Sequence, residues 1–193
     1  KDTKKKNIFK NVVFKNLKGA NNLILDDSLI LYGSINIFNS SVEFTNFELQ
    51  SINSEDGINI VSSDFVLNNG KFINLKHDAL DVDNGIGNIK DIFFENILND
   101  ALDFSESNVK ISNIYSKNIL DKVISAGENS QIRLNNFQSF NSFIGLASKD
   151  GSVFEANNIK MHNVKYPFAS YIKKNEYKKP SLLIDSSITD NFK

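Results

Sequence analysis

HDALDVD (His77–Asp83) and NDALDFS (Asn99–Ser105) are near-copies of each other, and Asp78 and Asp100 stand 22 residues apart. The same frame continues in both directions. EDGINIV (Glu55–Val61) lies one step upstream; DKVISAG (Asp121–Gly127), FIGLASK (Phe143–Lys149) and YPFASYI (Tyr166–Ile172) lie downstream. The reference positions are Asp56, Asp78, Asp100, Lys122, Ile144 and Tyr166, each 22 residues after the last. Two residues on, every side chain is apolar: Ile58, Leu80, Leu102, Ile124, Leu146 and Phe168. Two further on stand Ile60, Val82, Phe104, Ala126, Ser148 and Ser170. Apolar residues at every second position are the signature of a strand with one buried face. A strand recurring at a fixed interval is the signature of a solenoid.

A second signal shares the interval. Asn69 and Asn74, Asp91 and Asn96, Asn113 and Asn118, Asn136 and Asn141, and Asn158 and Asn163 are pairs five residues apart, and Asn11 and Asn16 repeat the pair near the start. Asparagine and aspartate tolerate the left-handed backbone of a tight corner. Stacked at one position, their amides can bond from coil to coil. Asparagine supplies 29 of the 193 residues; an AT-rich genome explains such an amount but not a fixed spacing.

Other repeat folds fit less well. Leucine-rich repeats share the length but need L-x-x-L-x-L-x-x-N and a helical half, and this chain has no helical stripe. Its second apolar runs, Phe65–Leu67, Val109–Ile111 and Ile132–Leu134, alternate again. Hexapeptide β-helices repeat in multiples of six. The reading is therefore all-β: a right-handed parallel β-helix with coils of about 22 residues, each carrying two or three strands. It forms one domain over 1–193, with an irregular N-terminal coil or cap over 1–45 and regular coils over 46–171. A C-terminal loop and last strand (Leu182–Ile184) complete it over 172–193.

Lys+Arg is 22 and Asp+Glu is 23, so no bulk charge draws the chain toward nucleic acid. No run approaches the roughly 18 apolar residues of a membrane span. The absence of cysteine excludes disulfides and thiolate metal sites. The basic run Lys1–Lys6 is not a signal peptide.

Equal positions in successive coils stack about 4.8 Å apart. One column then reads Asp56, Asp78, Asp100, Lys122, and a second reads Asn59, Asp81, Asp103, Ser125, with His77 and Asp83 beside them. Unit charges ~5 Å apart at an effective dielectric of ~20 repel by roughly 3 kcal/mol. Such a strip must raise its pKa values, pair with Lys122, or bind a cation. Calcium, which takes 6–8 oxygens, suits Asp81 and Asp103. Simple turn aspartates remain the alternative. His77 and His162 lack metal-ligand spacing, and Arg133 is the only arginine. Tyr171 and Tyr177, with Lys173, Lys174, Lys178 and Lys179, read as a polar loop.

Over about Asn46–Tyr171 the pattern resembles the single-stranded right-handed β-helix of the pectin-lyase-like superfamily. DALDFSES (Asp100–Ser107), Asp121–Glu128, GLASKDGS (Gly145–Ser152) and ASYIKKNEY (Ala169–Tyr177) are similar to β-helix modules of large bacterial secreted proteins. The resemblance implies a polysaccharide partner, an extracytoplasmic location and a place in a larger protein. Galacturonan hydrolases of the superfamily carry an aspartate and then paired aspartates one coil later. Asp56 and Asp78 match that spacing, but His77 replaces the paired carboxylate and the later basic motifs are missing. Superfamily lyases use a Lys or Arg base with calcium, and Lys122 beside Asp100 and Asp103 is similar to that arrangement. The expectation is a polysaccharide-binding or structural module whose acidic face uses Asp56, Asn59, Asp78, Asp81, Asp100, Asp103 and Lys122. The alternative is a calcium-assisted lyase or hydrolase acting on a uronate glycan through Asp78, Asp100, Asp103 and Lys122.

Overall fold

Three corners recur in six successive rungs, each made by a residue with left-handed backbone; the last rung keeps the first two, Asn158 and Asn163. The computed structural model describes residues 6–19, 23–25 and 29–190. Within it Asn69 (φ 52°), Asn74 (58°) and Asn84 (52°) turn one rung; Asp91, Asn96 and Glu106 turn the next, and Asn113, Asn118 and Glu128 the one after. The second residues of the pairs, Asn74, Asn96, Asn118, Asn141 and Asn163, all have φ between 50° and 58°. They occupy equivalent corners, as the spacing requires. The third corner is chemically mixed, with Asn39, Ser62, Asn84, Glu106, Glu128 and Asp150. Left-handed backbone costs a side-chain-bearing residue roughly 1–2 kcal/mol, least for asparagine. The neighbouring rungs impose the conformation on the two glutamates.

Between corners the chain is extended. The strands are β1 (Asn7–Lys15), β2 (Leu23–Leu25), β3 (Leu29–Leu31), β4 (Gly33–Phe38), β5 (Val42–Ile52), β6 (Asp56–Val61), β7 (Asp64–Leu75), β8 (Asp78–Asp83) and β9 (Ile86–Ile97). They continue as β10 (Leu102–Ser105), β11 (Asn108–Ile119), β12 (Lys122–Gly127), β13 (Gln131–Phe140), β14 (Ile144–Lys149), β15 (Val153–His162), β16 (Tyr166–Tyr171), β17 (Ser181–Ile184) and β18 (Ser187–Asp190). The short strands stack as a seven-stranded sheet, β4-β6-β8-β10-β12-β14-β16. The long strands stack as a nine-stranded sheet, β1-β5-β7-β9-β11-β13-β15-β17, with β18 beside β15. Every pairing in these two sheets is parallel; among the described residues only β2 and β3 pair antiparallel. The molecule is an all-β parallel solenoid with rungs of about 22 residues.

The N-terminal boundary differs from expectation. Regular stacking does not wait for residue 46: Asn7 pairs with Val42, and Val42 with Phe65, in the register of the later rungs. The enlarged part is confined between Lys15 and Gly33 and carries β2–β3. Of the run Lys1–Lys6, only Lys6 lies within the described residues.

The inward files make the core. Ile58, Leu80, Leu102, Ile124 and Leu146 are fully buried, and Phe168, in the last rung, is partly so. Each such side chain contributes roughly 1.5–3 kcal/mol by leaving water. Phe72 stacks on Phe94 at 5.0 Å. Glycine appears where a neighbouring rung projects a phenylalanine. A Cβ on Gly87 would lie 2.3 Å from the Phe65 ring, and one on Gly70 would lie 2.3 Å from the Phe47 ring. Each pair shares one register position.

The asparagines bond as ladders with one polarity, side-chain amides donating to the Oδ1 of the rung before; the second ladder shows no such bond from Asn141 to Asn118 and resumes with Asn163 donating to Asn141 at 2.9 Å. Asn113 donates to Asp91 at 2.6 Å, Asn136 to Asn113 at 3.0 Å and Asn158 to Asn136 at 2.6 Å. Asn96 donates to Asn74 and Asn118 to Asn96, both at 2.8 Å. Asp91 has no amide to offer Asn69, so the first ladder changes chemistry there. A buried serine ladder runs inside the third corner. Ser107 Oγ accepts from the Gly85 amide (2.9 Å), and Ser130 and Ser152 Oγ accept from the amides of Ser107 and Ser130 (both 3.1 Å).

Candidate functional site

The strip lies on the outer side of the short-strand sheet. Register places Asn59, Asp81, Asp103, Ser125 and Ala147 in one file on that side, of which Asp81 and Asp103 reach solvent while Asn59, Ser125 and Ala147 are buried. Asp56 and Asp78 pair at the corner where each short strand begins, and Lys122 pairs with Ile144 at the same corner two rungs on. Val61, Asp83, Ser105 and Gly127 form a third file. The chain therefore brings the expected residues together, though not with equal access. Asp56, Asn59 and Asp100 are buried; Asp78, Asp81, Asp103 and Lys122 are half-buried.

The corner aspartates are occupied with the fold. Asp78 Oδ1 accepts the backbone amide of Asp100 at 2.8 Å, and Asp100 Oδ1 accepts that of Lys122 at 2.8 Å. Where the previous rung offers lysine in place of aspartate, the amide of Ile144 turns instead to the Asp121 carbonyl. These carboxylates substitute for a rung-to-rung backbone acceptor. Lys122 Nζ sits 3.1 Å from Asp100 and 2.6 Å from Asp121.

The middle file is mixed: Asp81 and Asp103 reach solvent, whereas Asn59 and Ser125 are buried. Asn59 donates to Asp81 at 3.1 Å. Asp103 accepts the Phe104 amide at 3.1 Å and has Lys149 Nζ at 3.6 Å. Lys149 reaches Asp103 across Gly127, where a Cβ would lie 3.3 Å from its Cε. Next to Asp103 in the file, Ser125 Oγ is buried with no hydrogen-bond partner.

Burial governs the titration of the strip. It pushes Asp56 up to about 8, with Asp78 adding repulsion, and Asp81 up to about 9, with Asp56 adding repulsion. Burial also takes Asp78 to about 6, and takes Asp100, with Asp103 alongside, to about 7 against the pull of Lys122. Asp83 is raised by burial and then by Asp103. Burial alone would lower Lys122, but the Asp100 and Asp121 carboxylates outweigh it and hold the ammonium above the usual lysine range. At neutral pH, Asp56 and Asp81 are thus largely carboxylic acids able to donate hydrogen bonds. A lysine held protonated is a poor general base.

Among the described residues, no three histidine, aspartate or glutamate side chains converge so as to hold a metal ion. His77 is exposed at the edge of the strip. His162 lies on the other sheet, with Nδ1 on Asp190. The Tyr/Lys loop is fastened down. Asp150 Oδ1 accepts the amides of Lys173 (2.6 Å) and Lys174 (2.8 Å), and Lys174 Nζ meets Glu128 at 2.6 Å. Clefts of about 690, 240, 760 and 500 Å³ lie on other surfaces, and no strip residue lines them.

Sequence reasoning missed two features. Lys149 lies two rungs beyond Asp103, and only the missing side chain at Gly127 hints that it could reach back. The outer side of the long-strand sheet carries rings from two adjoining files, Phe93 and Tyr115 in one and Phe140 and His162 in the next. Phe93 stacks on Tyr115 at 5.4 Å, Tyr115 meets Phe140 at 5.3 Å, and Phe140 meets His162 at 5.8 Å. The Phe93–Tyr115 spacing of 22 was the available signal. Phe93 and Tyr115 turn their faces toward each other and leave edges to solvent, an arrangement suited to stapling rungs rather than to stacking a sugar.

No protein-family model, no curated protein and no solved structure matches this chain.

Proposed function

We propose that this chain is a non-catalytic module that binds an extended polysaccharide along the outer face of its short-strand sheet. On this reading it is a member of the pectin-lyase-like superfamily, working outside the cytoplasm as part of a larger surface or secreted protein. One observation carries the reading: in the file Asn59–Asp81–Asp103–Ser125, the two members that reach solvent, Asp81 and Asp103, lie on successive rungs, the first a carboxylic acid able to donate. Two carboxyl groups ~4.8 Å apart on adjacent rungs suit the hydroxyls of a chain laid along the axis. The corner carboxylates of Asp78 and Asp100 are engaged in capping backbone amides, and Lys122 is held as an ammonium. Both points argue for holding a glycan rather than cutting it.

The test is a glycan array, run with and without calcium, alongside an ultraviolet assay for unsaturated uronate. The expected result is calcium-independent binding, weakened by Asp81→Leu and Asp103→Ala, with no product. Product formation that Lys122→Ala or Asp103→Ala abolishes overturns the reading in favour of a lyase. Absence of binding to every glycan overturns it as well.

A further inference from the structure

The first and last strands of the long-strand sheet each leave one backbone edge unpaired among the described residues, because β1 pairs only with β5 and β17 and β18 only with β15. Exposed edges invite another strand. Following the register from rung to rung, Lys15 and Asp190 fall in one file, as do Val13 and Ile188, and Ile8 and Leu183. Lys10 and Asn11 share their files with Asp185 and Ser186, which come directly after the paired Ile184. These files are complementary at their two ends. Ile8 (58 % exposed), Val13 (57 %), Leu183 (55 %) and Ile188 (65 %) are all apolar side chains facing solvent. Lys10 and Lys15 are exposed cations, and Asp185 and Asp190 are exposed anions.

We propose that the chain associates head to tail with a second copy of itself, β1 of one molecule adding in parallel to the β17–β18 edge of the other. In that register Lys10 stands over Asp185, Lys15 over Asp190, Ile8 over Leu183 and Val13 over Ile188, each pair about 4.8 Å apart. The asparagine ladder supports the same polarity. Its amides donate toward the N-terminal end, so the Asn11 amide faces the hydroxyl of Ser186 across the join. The long-strand sheet makes the join alone. β16 precedes β17 in the last rung and β4 comes after β1 in the first, so the short-strand sheets of the two copies stand a rung apart. A head-to-tail contact does not close on itself and propagates into a filament. Such association is independent of glycan binding.

The test is sedimentation velocity over a concentration series at low and high salt, with circular dichroism to confirm folding. Wild type is expected to form concentration-dependent linear oligomers that weaken as salt screens the exposed pairs. Lys10→Glu with Lys15→Glu leaves both ends acidic, and Asp185→Lys with Asp190→Lys leaves both ends basic. Each double variant alone should associate at least about tenfold more weakly, corresponding to 1.4 kcal/mol. Mixing the two should restore assembly, since each then meets an end of opposite charge. A wild type that stays monomeric throughout overturns the proposal. So does association that neither double variant weakens, or a mixture that fails to recover.

Discussion

The carboxylate of Asp78 accepts the backbone amide of Asp100 at 2.8 Å, from the rung above it. Asp100 repeats the bond with Lys122. Part of what reads as an acidic surface is therefore the lining of a corner. Asp78→Ala and Asp100→Ala should each destabilise the fold by about 1–3 kcal/mol, the cost of stranding a buried amide. Asp78→Asn keeps an acceptor oxygen and should be milder. Urea unfolding decides it: alanine variants within about 0.5 kcal/mol of wild type would remove the capping role.

Stability should fall as pH rises. Asp56, Asp81 and Asp100 titrate at about 8, 9 and 7 in the fold, against an ordinary aspartate value of 3.8. The folded state thus holds protons that the unfolded chain has released. Their contribution is complete below pH ~4 and is lost as pH climbs through about 7 to 9. The decline between pH ~5 and pH ~9 should exceed the ~1.4 kcal/mol that one pKa unit represents. Asp81→Asn should flatten the profile. Thermal melts across that range that rise with pH would contradict the burial of these groups.

Asn113→Asp should destabilise by about 1–2 kcal/mol at neutral pH. It removes the amide that donates to Asp91 and sets a second carboxylate beside it. In acid, protonated carboxyls can donate again, so the gap between variant and wild type in chemical denaturation should narrow. A difference that does not change with pH would show that the ladder contributes little beyond its corner geometry.

Gly87→Ala should cost about 1–3 kcal/mol, because its Cβ would meet the Phe65 ring. Phe65→Leu makes room at the same register position. In a double-mutant cycle the pair should therefore be less destabilised than the sum of the single variants. Strict additivity would show that the two positions do not compete for one space.

The period-two files and the asparagine pairs were legible because each repeats one chemistry at one interval. Ile58 to Leu146 stack as their spacing requires, and Asn74 to Asn163 turn the same corner. The third corner was hidden because Ser62, Asn84, Glu106 and Asp150 share a backbone angle and no side-chain type. The early rungs were hidden because the segment carrying β2–β3 breaks the interval between Asn16 and Asn46. The strip was legible as a column of aspartates, but sequence could not divide it. Whether an aspartate caps the amide of the next rung, as Asp78 does, or faces outward, as Asp103 does, depends on a rotation of the chain at the corner that spacing does not record. Lys149 was hidden because its partner lies two rungs away.

The left-handed corners also make length a free variable of this molecule. Asn74, Asn96 and Asn118 send the chain onward in the same backbone direction. A whole rung can therefore be duplicated or excised between any two of them without redirecting the chain on either side. Removing residues 78–99 would bring Asp100 down onto Asp56 and shorten the shaft by one strand spacing, about 4.8 Å. A gene encoding this shaft can change its reach by copying 22 codons at a time. Every length reached in this way stacks as well as the one before it, because each rung leans only on its neighbours.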